Sequence, residues 1–414
     1  MNLIKSITFL GLLALLMRSG VGQQVLQESK VNVELINTIP ASSKIGTFRV
    51  DILEYVGDQE IYYLGEKIVF FAASGRCIRY FDENDMPVLE KQYDKEARIE
   101  VSNNGRYILI GNKAAEKLRL ENMEGVTLWE KVYPERLKIR WSSYDRIPLV
   151  TPKGSVILSL FGIMRKNHYP GMRAEKIKVI DISGNIAQLG TLVNGDVNFT
   201  IGAKISPDGK YYGFRSAYGE GNLIAYYELE SLRELWIYRE RDRMVAHNFI
   251  ITKNGENLIA VSGTDITRGL KGDVLFFNKY GDIYQTVPAN QIGHAQAIHT
   301  ISPDEKYIAV SGMRGKTRTL ILIEIATGKI LWEYKDVLNN PKCFFGAVAI
   351  SNNAERIAFT YLHPEGPHFI ILNRKGVVIF KEKTKAEYNK ILWLPDSNAL
   401  WIVEYSKITH YKVF

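Results

Sequence analysis

The sequence predicts an all-β fold built from about eight repeated four-stranded units, on three observations. A hairpin pattern recurs along the chain, an aromatic residue recurs at a nearly constant distance after it, and the strand-favouring residues Phe, Trp and Tyr make up 11% of the chain. A repeat of about 40 to 50 residues has the length of one blade in a propeller of short sheets. The predicted fold is therefore a single β-propeller with about eight four-stranded blades.

The hairpin pattern begins with an apolar residue and a Ser or Thr, followed by two turn-forming residues. The next position is usually Gly, and a polar residue and an apolar strand come after it. Complete copies have their Ser or Thr at positions 102, 151, 206, 252, 302 and 351, and weaker copies occur at 63 and 394, so that neighbouring copies are 39 to 55 residues apart. In the copy Ser206-Pro-Asp-Gly-Lys210, Ser opens the turn, Pro presets the next φ and Gly supplies a positive φ. A seven-bladed ring, in which the weak copy at Tyr63 is not a blade, is the alternative.

The second mark is an aromatic residue in the last strand of a repeat. Trp129, Trp236 and Trp332 follow their hairpin anchors by 27, 30 and 30 residues, and Tyr284 and Phe380 are softer versions. Because this mark keeps the phase of the hairpins, we expect each aromatic side chain to pack between neighbouring blades.

The two ends of the chain are predicted to share the last blade. Three strands are expected at 389–394, 399–404 and 407–414, and the segment Val31–Ile39 is the candidate for the fourth. This arrangement removes a free sheet edge and closes the circle.

These motifs carry a resemblance to known proteins. The turn Ser206–Lys210 and its near copy Ser302–Lys306 resemble turns of bacterial WD40-like and TolB-like propellers, and the run Ala326–Glu333 resembles the repeats of quinoprotein-like propellers. The resemblance covers almost all of the chain after residue 22. It implies the architecture of an exported bacterial propeller, a group that includes scaffolds, binding proteins, lyases and dehydrogenases.

Residues 1–22 are predicted to be a signal peptide. A basic residue, Lys5, precedes the apolar run Ile7–Met17, and the small residues Gly20 and Gly22 suit a signal peptidase. An uncleaved anchor is the alternative, but the run is shorter than the about 20 residues that span a bilayer. Cleavage after Gly22 predicts a propeller domain over 23–414 that is exported to the periplasm or the exterior, and lowers the formal charge from +8 to +6.

The sequence predicts no metal or cofactor site. The two cysteines, Cys77 and Cys343, belong to non-adjacent blades, so we expect two thiols rather than a disulfide, and no CxxC motif is present. The 7 histidines form no HxH or HxxxH array. Two of them, His247 and His299, differ in phase relative to their anchors, and we expect each to be hydrogen-bonded near the channel mouth.

A candidate binding surface is predicted in the loops that join the second and third strands of the third and the fifth to seventh blades. These loops combine cations with exposed glycine backbone, a chemistry that holds carboxylate, sulfate or phosphate groups. The candidate binding residues are Arg165, Lys166, His168, Arg173, Arg268, Lys271, Arg314, Lys316, Arg318, His363 and His368. The alternative is that these side chains are ordinary solvated loop residues.

No catalytic constellation is recognisable, which favours a non-catalytic binding or scaffold protein of the cell envelope or exterior. A Gly-x-Ser-x-Gly elbow is missing, and the glycine pairs at 219–221 and 269–272 open no helix. The alternative is a propeller enzyme, either a quinone-dependent dehydrogenase, suggested by the Leu-Trp-Glu repeats, or a lyase with His168 or His363 as base. Export and balanced charge argue against nucleic acid as a partner. A protein, peptide or anionic glycan partner and a monomeric state are expected.

Overall fold

The computed structural model describes most of the chain from the first strand onward. The described residues are 33–40, 61–64, 67–74, 77–81, 87–93, 97–102, 104–111, 117–132, 149–164, 171–191, 200–216, 222–240, 245–262, 272–292, 294–314, 317–335, 344–363, 366–384, 388–393, 398–404 and 407–413. The predicted signal peptide 1–22 and Cys343 lie outside them, whereas Cys77 begins a strand.

The described residues form eight antiparallel sheets of four strands, and in seven of them the four strands follow one another in the chain. The first strand of the chain, β1 (Val33–Pro40), belongs to sheet 8. Sheet 1 consists of β2 (Ile61–Leu64), β3 (Lys67–Ser74), β4 (Cys77–Phe81) and β5 (Pro87–Gln92), and sheet 2 of β6 (Arg98–Val101), β7 (Tyr107–Gly111), β8 (Lys117–Asn122) and β9 (Thr127–Val132). Sheet 3 consists of β10 (Leu149–Val150), β11 (Val156–Met164), β12 (Gly171–Ile180) and β13 (Ile186–Thr191). Sheet 4 consists of β14 (Thr200–Ile205), β15 (Tyr211–Ser216), β16 (Asn222–Glu228) and β17 (Arg233–Glu240).

The second half of the chain repeats this arrangement. Sheet 5 consists of β18 (Val245–Ile251), β19 (Asn257–Ser262), β20 (Asp273–Asn278) and β21 (Ile283–Val287). Sheet 6 consists of β22 (His294–Ile301), β23 (Tyr307–Arg314), β24 (Thr317–Glu324) and β25 (Ile330–Lys335). Sheet 7 consists of β26 (Phe344–Ile350), β27 (Arg356–His363), β28 (Gly366–Asn373) and β29 (Val378–Lys383). Sheet 8 has the order β1, β32 (Lys407–Val413), β31 (Ala399–Glu404) and β30 (Tyr388–Trp393). A four-residue helix, α1 (Ala289–Ile292), precedes β22, and a 3-10 turn covers Asn352–Ala354.

The turn between the first and second strands forms where the hairpin pattern predicts it. In sheet 4 the Ser206 hydroxyl donates to Asp208 Oδ1 (2.6 Å) and accepts the Tyr211 N–H (2.9 Å). The Ser206 side chain is fully buried, so these bonds satisfy a polar group that has no access to water. The same acceptor role is filled by buried hydroxyls in five other sheets, at Ser102, Thr151, Thr252, Ser302 and Ser351.

Neighbouring sheets pack face to face. In β15, Phe214 joins an apolar cluster with Ile157 of sheet 3, whereas Gly213 lies against Phe249 of sheet 5. Since both faces of a central strand are covered, such strands are apolar without alternation. In β19, Leu258–Val261 is a run of four residues with no exposed surface.

The recurrent tryptophan packs between sheets, as the sequence predicts. Trp236 of β17 lies under the turn before β21, where a Cβ on Gly281 would come within 2.7 Å of Trp236 Cγ. Its indole donates to the Lys279 carbonyl (3.2 Å). The turn therefore needs a glycine, both for its positive φ of 91° and for this close approach. The close packing, without the indole hydrogen bond, recurs in two further pairs among the described residues, Trp129 with Gly184 and Trp332 with Gly376.

The first and last strands of the described chain pair with each other. β1 runs antiparallel to β32, from Val33 opposite Val413 to Pro40 opposite Lys407, and overlaps the predicted segment Val31–Ile39 except for its last residue. Closure of the eight sheets into one ring, and therefore the blade count, stays a prediction.

The helical content places no membrane span among the described residues. None of the helices there is long and apolar enough to cross a bilayer.

Candidate binding site on the loop face

The hairpin connections lie on two opposite faces. We call the side that carries the first-to-second and third-to-fourth turns the turn face, and the side that carries the second-to-third connections the loop face. On the turn face the two turns of one sheet touch, because Leu229 N–H donates to the Lys210 carbonyl in sheet 4 and Ile325 N–H to the Lys306 carbonyl in sheet 6. The candidate binding residues that the structure describes belong to strands that lead to the loop face.

Most of the candidate binding residues lie outside the described residues. These are Arg165, Lys166, His168, Arg268, Lys271 and Lys316. Arg173 belongs to β12, in register with Gly162 of β11. Their role in binding stays a prediction. The structure describes the side chains of Arg314, Arg318, His363 and His368, all on sheets 6 and 7.

The hairpin register of sheet 6 separates its two arginines. Met313 is opposite Arg318, and Arg314 is opposite Thr317, so Arg314 and Arg318 are on opposite sides of the sheet. Arg314 turns towards sheet 5, where Nη2 donates to the Gln291 carbonyl (2.7 Å) and Nε contacts Glu333 Oε1 (3.3 Å). Its charge is therefore matched within the protein.

Arg318 faces the other way, towards sheet 7. It lies two residues before Leu320 on β24, and alternate residues of a strand share a face. Leu320 belongs to the apolar cluster that also contains Tyr361 of sheet 7. Arg318 thus lies at the loop-face end of the interface between sheets 6 and 7.

The two histidines lie at the matching end of sheet 7. Tyr361 is opposite His368, and His363 is opposite Gly366, across the β27–β28 hairpin. The two imidazole rings are 5.9 Å apart, edge to face, and the ring of Tyr361 is 6.5 Å from that of His363. Because Tyr361 packs towards sheet 6, its neighbours His363 and His368 are on that same side.

Lys383 completes this group, and the sequence analysis missed it. It is opposite His368 on β29, and its side chain passes over the hairpin, since a Cβ on Gly366 would be 3.1 Å from Lys383 Cε. Alternation along β29 and the register with β28 were the signals that could have revealed it. We call Arg318, His363, His368 and Lys383 the intersheet site.

The charges that the structure describes at the intersheet site are positive. Burial lowers the pKa of His368, and the positive charges of Lys381, His363 and Lys383 lower it further. Among the described residues, the charged groups that act on the pKa of His368 are all cations. The site therefore holds like charges together, which favours an anion between them.

A second feature of this half of the molecule is a bulge in the first strand of sheets 4 to 8. The first strands contact one another from sheet to sheet, as β22 does with β18 and β26, and therefore lie innermost. The pairing with the second strand shifts between Thr200 and Gly202, Val245 and Phe249, Ala295 and Ala297, Phe345 and Val348, and Tyr388 and Lys390. Bulges redirect side chains, and no sequence mark announces them.

His299 lies in a further bulge of β22, between Ile298 and Thr300. Its Nε2 is buried and has no hydrogen-bond partner among the described residues, so the expected hydrogen bond is not made at this nitrogen. Burial lowers the pKa of His299 to about 4, so the ring is neutral at physiological pH. Within the described segments no three His, Cys, Asp or Glu side chains come together as metal ligands.

Comparison with known proteins identifies the fold. No protein-family model and no curated protein sequence matches the chain. Among solved structures, BamB from Moraxella catarrhalis is 13% identical with a TM-score of 0.54, covering 92% of this chain and 100% of that one. The C-terminal WD40 domain of Sif2 is 11% identical with a TM-score of 0.54, covering 87% and 94%. The fold is a β-propeller.

A third similar structure belongs to an enzyme. Dihydro-heme d1 dehydrogenase NirN, in complex with DHE, is 15% identical with a TM-score of 0.53, covering 80% of this chain and 66% of that one. At such identities the likeness shows the fold alone, and propellers host unrelated functions. The function of this propeller must therefore be argued from its own side chains.

The intersheet site is chemically suited to hold an oxyanion. Arg318 offers a planar fork of donors, Lys383 a mobile point charge, and the two imidazoles further N–H donors. The aromatic wall beneath it is rigid, because Tyr334, Phe345 and Phe359 pack edge to face with centroid distances of 5.1 to 6.4 Å. A rigid wall keeps the donors in place before a ligand arrives.

Proposed function

We propose that this protein is an exported, non-catalytic binding propeller, and that its intersheet site takes an anionic group of a glycan or protein ligand. The observation that carries the proposal is the grouping of Arg318, His363, His368 and Lys383 at one end of the interface between sheets 6 and 7. Repulsion between neighbouring cations lowers the stability of the folded protein, and a bound anion would offset that repulsion.

The structure explains the feature that suggested a dehydrogenase. The Leu-Trp-Glu repeats place Trp129 and Trp332 under glycine turns of the next sheet, which is a packing role. Since the tryptophans are accounted for by packing, they carry no argument for a quinone cofactor. This supports binding over catalysis.

Export is part of the proposal and has its own test. Mass spectrometry of the protein purified from its native cells is expected to find Gln23 at the N-terminus, because the small residues at 20 and 22 suit a signal peptidase. A mature chain that begins at Met1 would contradict export by this leader.

Binding is tested with two anionic probes, heparin as a sulfated glycan and poly-glutamate as an acidic peptide. Affinity is measured at two salt concentrations, and we expect it to fall as salt rises because a cationic site is screened. The variant Arg318→Gln is expected to weaken binding about tenfold, the loss of one charge-assisted hydrogen bond. The probe that binds more tightly identifies the source of the anion.

The matched control is Lys375→Gln, which removes one exposed positive charge from the turn face of sheet 7. It lowers the net charge by the same amount as Arg318→Gln but is far from the intersheet site along the strands. Equal losses in the two variants would show that only net charge matters. That result, or the lack of binding by the native protein, would refute the proposed site.

A further inference from the structure

We propose that ligand binding at the intersheet site takes up protons on His363 and His368, so that the site prefers a dianion and holds it more tightly as the pH falls. This inference rests on the proposed function and adds the charge of the ligand group and the control of its binding. It depends on the closeness of the two rings and on the sign of the charges around them.

The two imidazoles form one titrating pair. Their centroids are 5.9 Å apart, so a proton on one ring disfavours a proton on the other. Positive charge from His363 is one of the causes that lower the pKa of His368. Without a ligand, His368 therefore resists protonation.

In the part of the chain that the structure describes, the elements packed against the pair present cations or uncharged groups. Lys381 and Lys383 belong to β29, Arg318 to β24, and Tyr334 of β25 and Tyr361 of β27 are neutral. Among the described residues, the carboxylates of these strands face elsewhere. Glu333 is paired with Arg314 and Lys335 on the sheet 5 side, and Glu382 is opposite Phe369, on the sheet 8 side.

A bound anion reverses this balance. A negative charge between the rings stabilises both imidazolium forms and raises the pKa of each ring. By linkage, a ligand that raises a pKa binds more tightly when that group is already protonated. A dianion can compensate two imidazolium charges, whereas a monoanion compensates one, and this difference is the source of the preference.

Sulfate is the probe, because it stays a dianion across the pH range in which histidine titrates. Calorimetric titration in buffers with different ionisation enthalpies counts the protons taken up for each sulfate bound. Near pH 7.5 we expect about two protons for the native protein, about one for His368→Gln and about none for the double variant His363→Gln/His368→Gln. Acetate, a monoanion, is expected to take up about one proton and to bind more weakly.

The affinity itself gives a second readout. For the native protein, the affinity for sulfate is expected to fall about a hundredfold per pH unit near pH 7.5, as uptake of two protons requires, and for the double variant it is expected to stay nearly level. Lys375→Gln is the charge control and keeps the native proton count. Glutamine preserves a donor without a titratable proton, so the variants compare protonation and not hydrogen-bonding capacity.

The outcomes separate this inference from the function on which it rests. Sulfate binding without proton uptake, or uptake that persists in the double variant, overturns the inference and leaves the anion site standing. Failure of the native protein to bind sulfate, heparin or poly-glutamate at any pH overturns both.

Discussion

On the turn face, polar groups are satisfied within their own turn or by the next one, whereas on the loop face of sheets 6 and 7 cations gather. Asn104 of sheet 2 donates to the Pro152 carbonyl of sheet 3 (2.8 Å), and Lys253 N–H of sheet 5 donates to the Glu305 carboxylate of sheet 6. The intersheet site instead holds two histidines beside lysines that lower the pKa of His368. The fold thus has a turn face in which polar contacts add stability and, on sheets 6 and 7, a loop face where gathered cations lower it, which is typical of a binding surface.

The largest effect is expected from a glycine of the turn face. Gly255 has a φ of 70°, and a Cβ there would come within 1.9 Å of the Tyr211 ring of the neighbouring sheet. Gly255→Ala should lower the free energy of unfolding by about 3 kcal/mol or more, from backbone strain and a steric clash. The measurement is urea unfolding. In the control Gly202→Ala the new methyl meets nothing within 4 Å, and equal losses for both would contradict the assigned packing.

The next effect concerns the bulged inner strand that lies between the two faces. His299 has a folded-state pKa of about 4, below the value of about 6.5 in an unfolded chain, so the unfolded state takes up its proton first. The free energy of unfolding therefore falls as the pH drops from about 6.5 to 4. We expect a loss of about 2 to 3 kcal/mol, a little less than the full pKa shift would give, because the His299 side chain is partly exposed to solvent. His299→Gln should lack this loss when unfolding is followed at both ends of that range. A variant that still lost it would assign the pH dependence to other groups.

A smaller effect is expected from one hydroxyl of the turn face. Ser302 is fully buried and its Oγ accepts the Tyr307 N–H (3.0 Å). Ser302→Ala leaves that donor without its side-chain acceptor and should cost about 1 to 2 kcal/mol in denaturant unfolding. The exposed neighbour Lys306→Ala should change stability by less than about 0.5 kcal/mol. Similar effects of the two substitutions would mean that the hydrogen bond of the Ser302 hydroxyl contributes little to stability.

The smallest effect is expected on the loop face. His368→Gln should change the free energy of unfolding by less than about 0.5 kcal/mol at neutral pH, where the native ring is neutral. Because the pKa of His368 is lowered in the folded state, the native protein loses stability as the pH falls below about 6.5, and the variant does not. Thermal unfolding at acidic pH should therefore find the variant more stable. If the variant were less stable, His368 would contribute to folding stability as the residues of the turn face do, and the two faces would not differ in this respect.

Much of the framework could be predicted because it depends on local chemistry. The hairpin pattern placed the buried hydroxyls of Ser206 and Ser302 in their turns, and the recurrent tryptophans lie between sheets as expected. The candidate site was predicted less well. Arg314 and Arg318 come from one loop, yet Arg314 pairs with Glu333 on the far side of the sheet. Lys383, absent from the prediction, lies across the hairpin beside His368.

By itself the sequence determined the repeated unit, since a turn needs only neighbouring residues of the right kind: a hydroxyl, usually an Asx, and a residue that takes a positive φ. That residue is most often glycine but is Glu305 in the first turn of sheet 6. Which charges meet was decided only in the tertiary structure. A shift of one residue in the register of a hairpin moves every side chain to the other face of its sheet, and nothing local in the 314–318 or 363–368 loops sets that register. The register is set by the packing of apolar side chains between sheets 6 and 7, such as Leu320 and Tyr361. The cations on the same faces of these strands are thereby brought to the same interface.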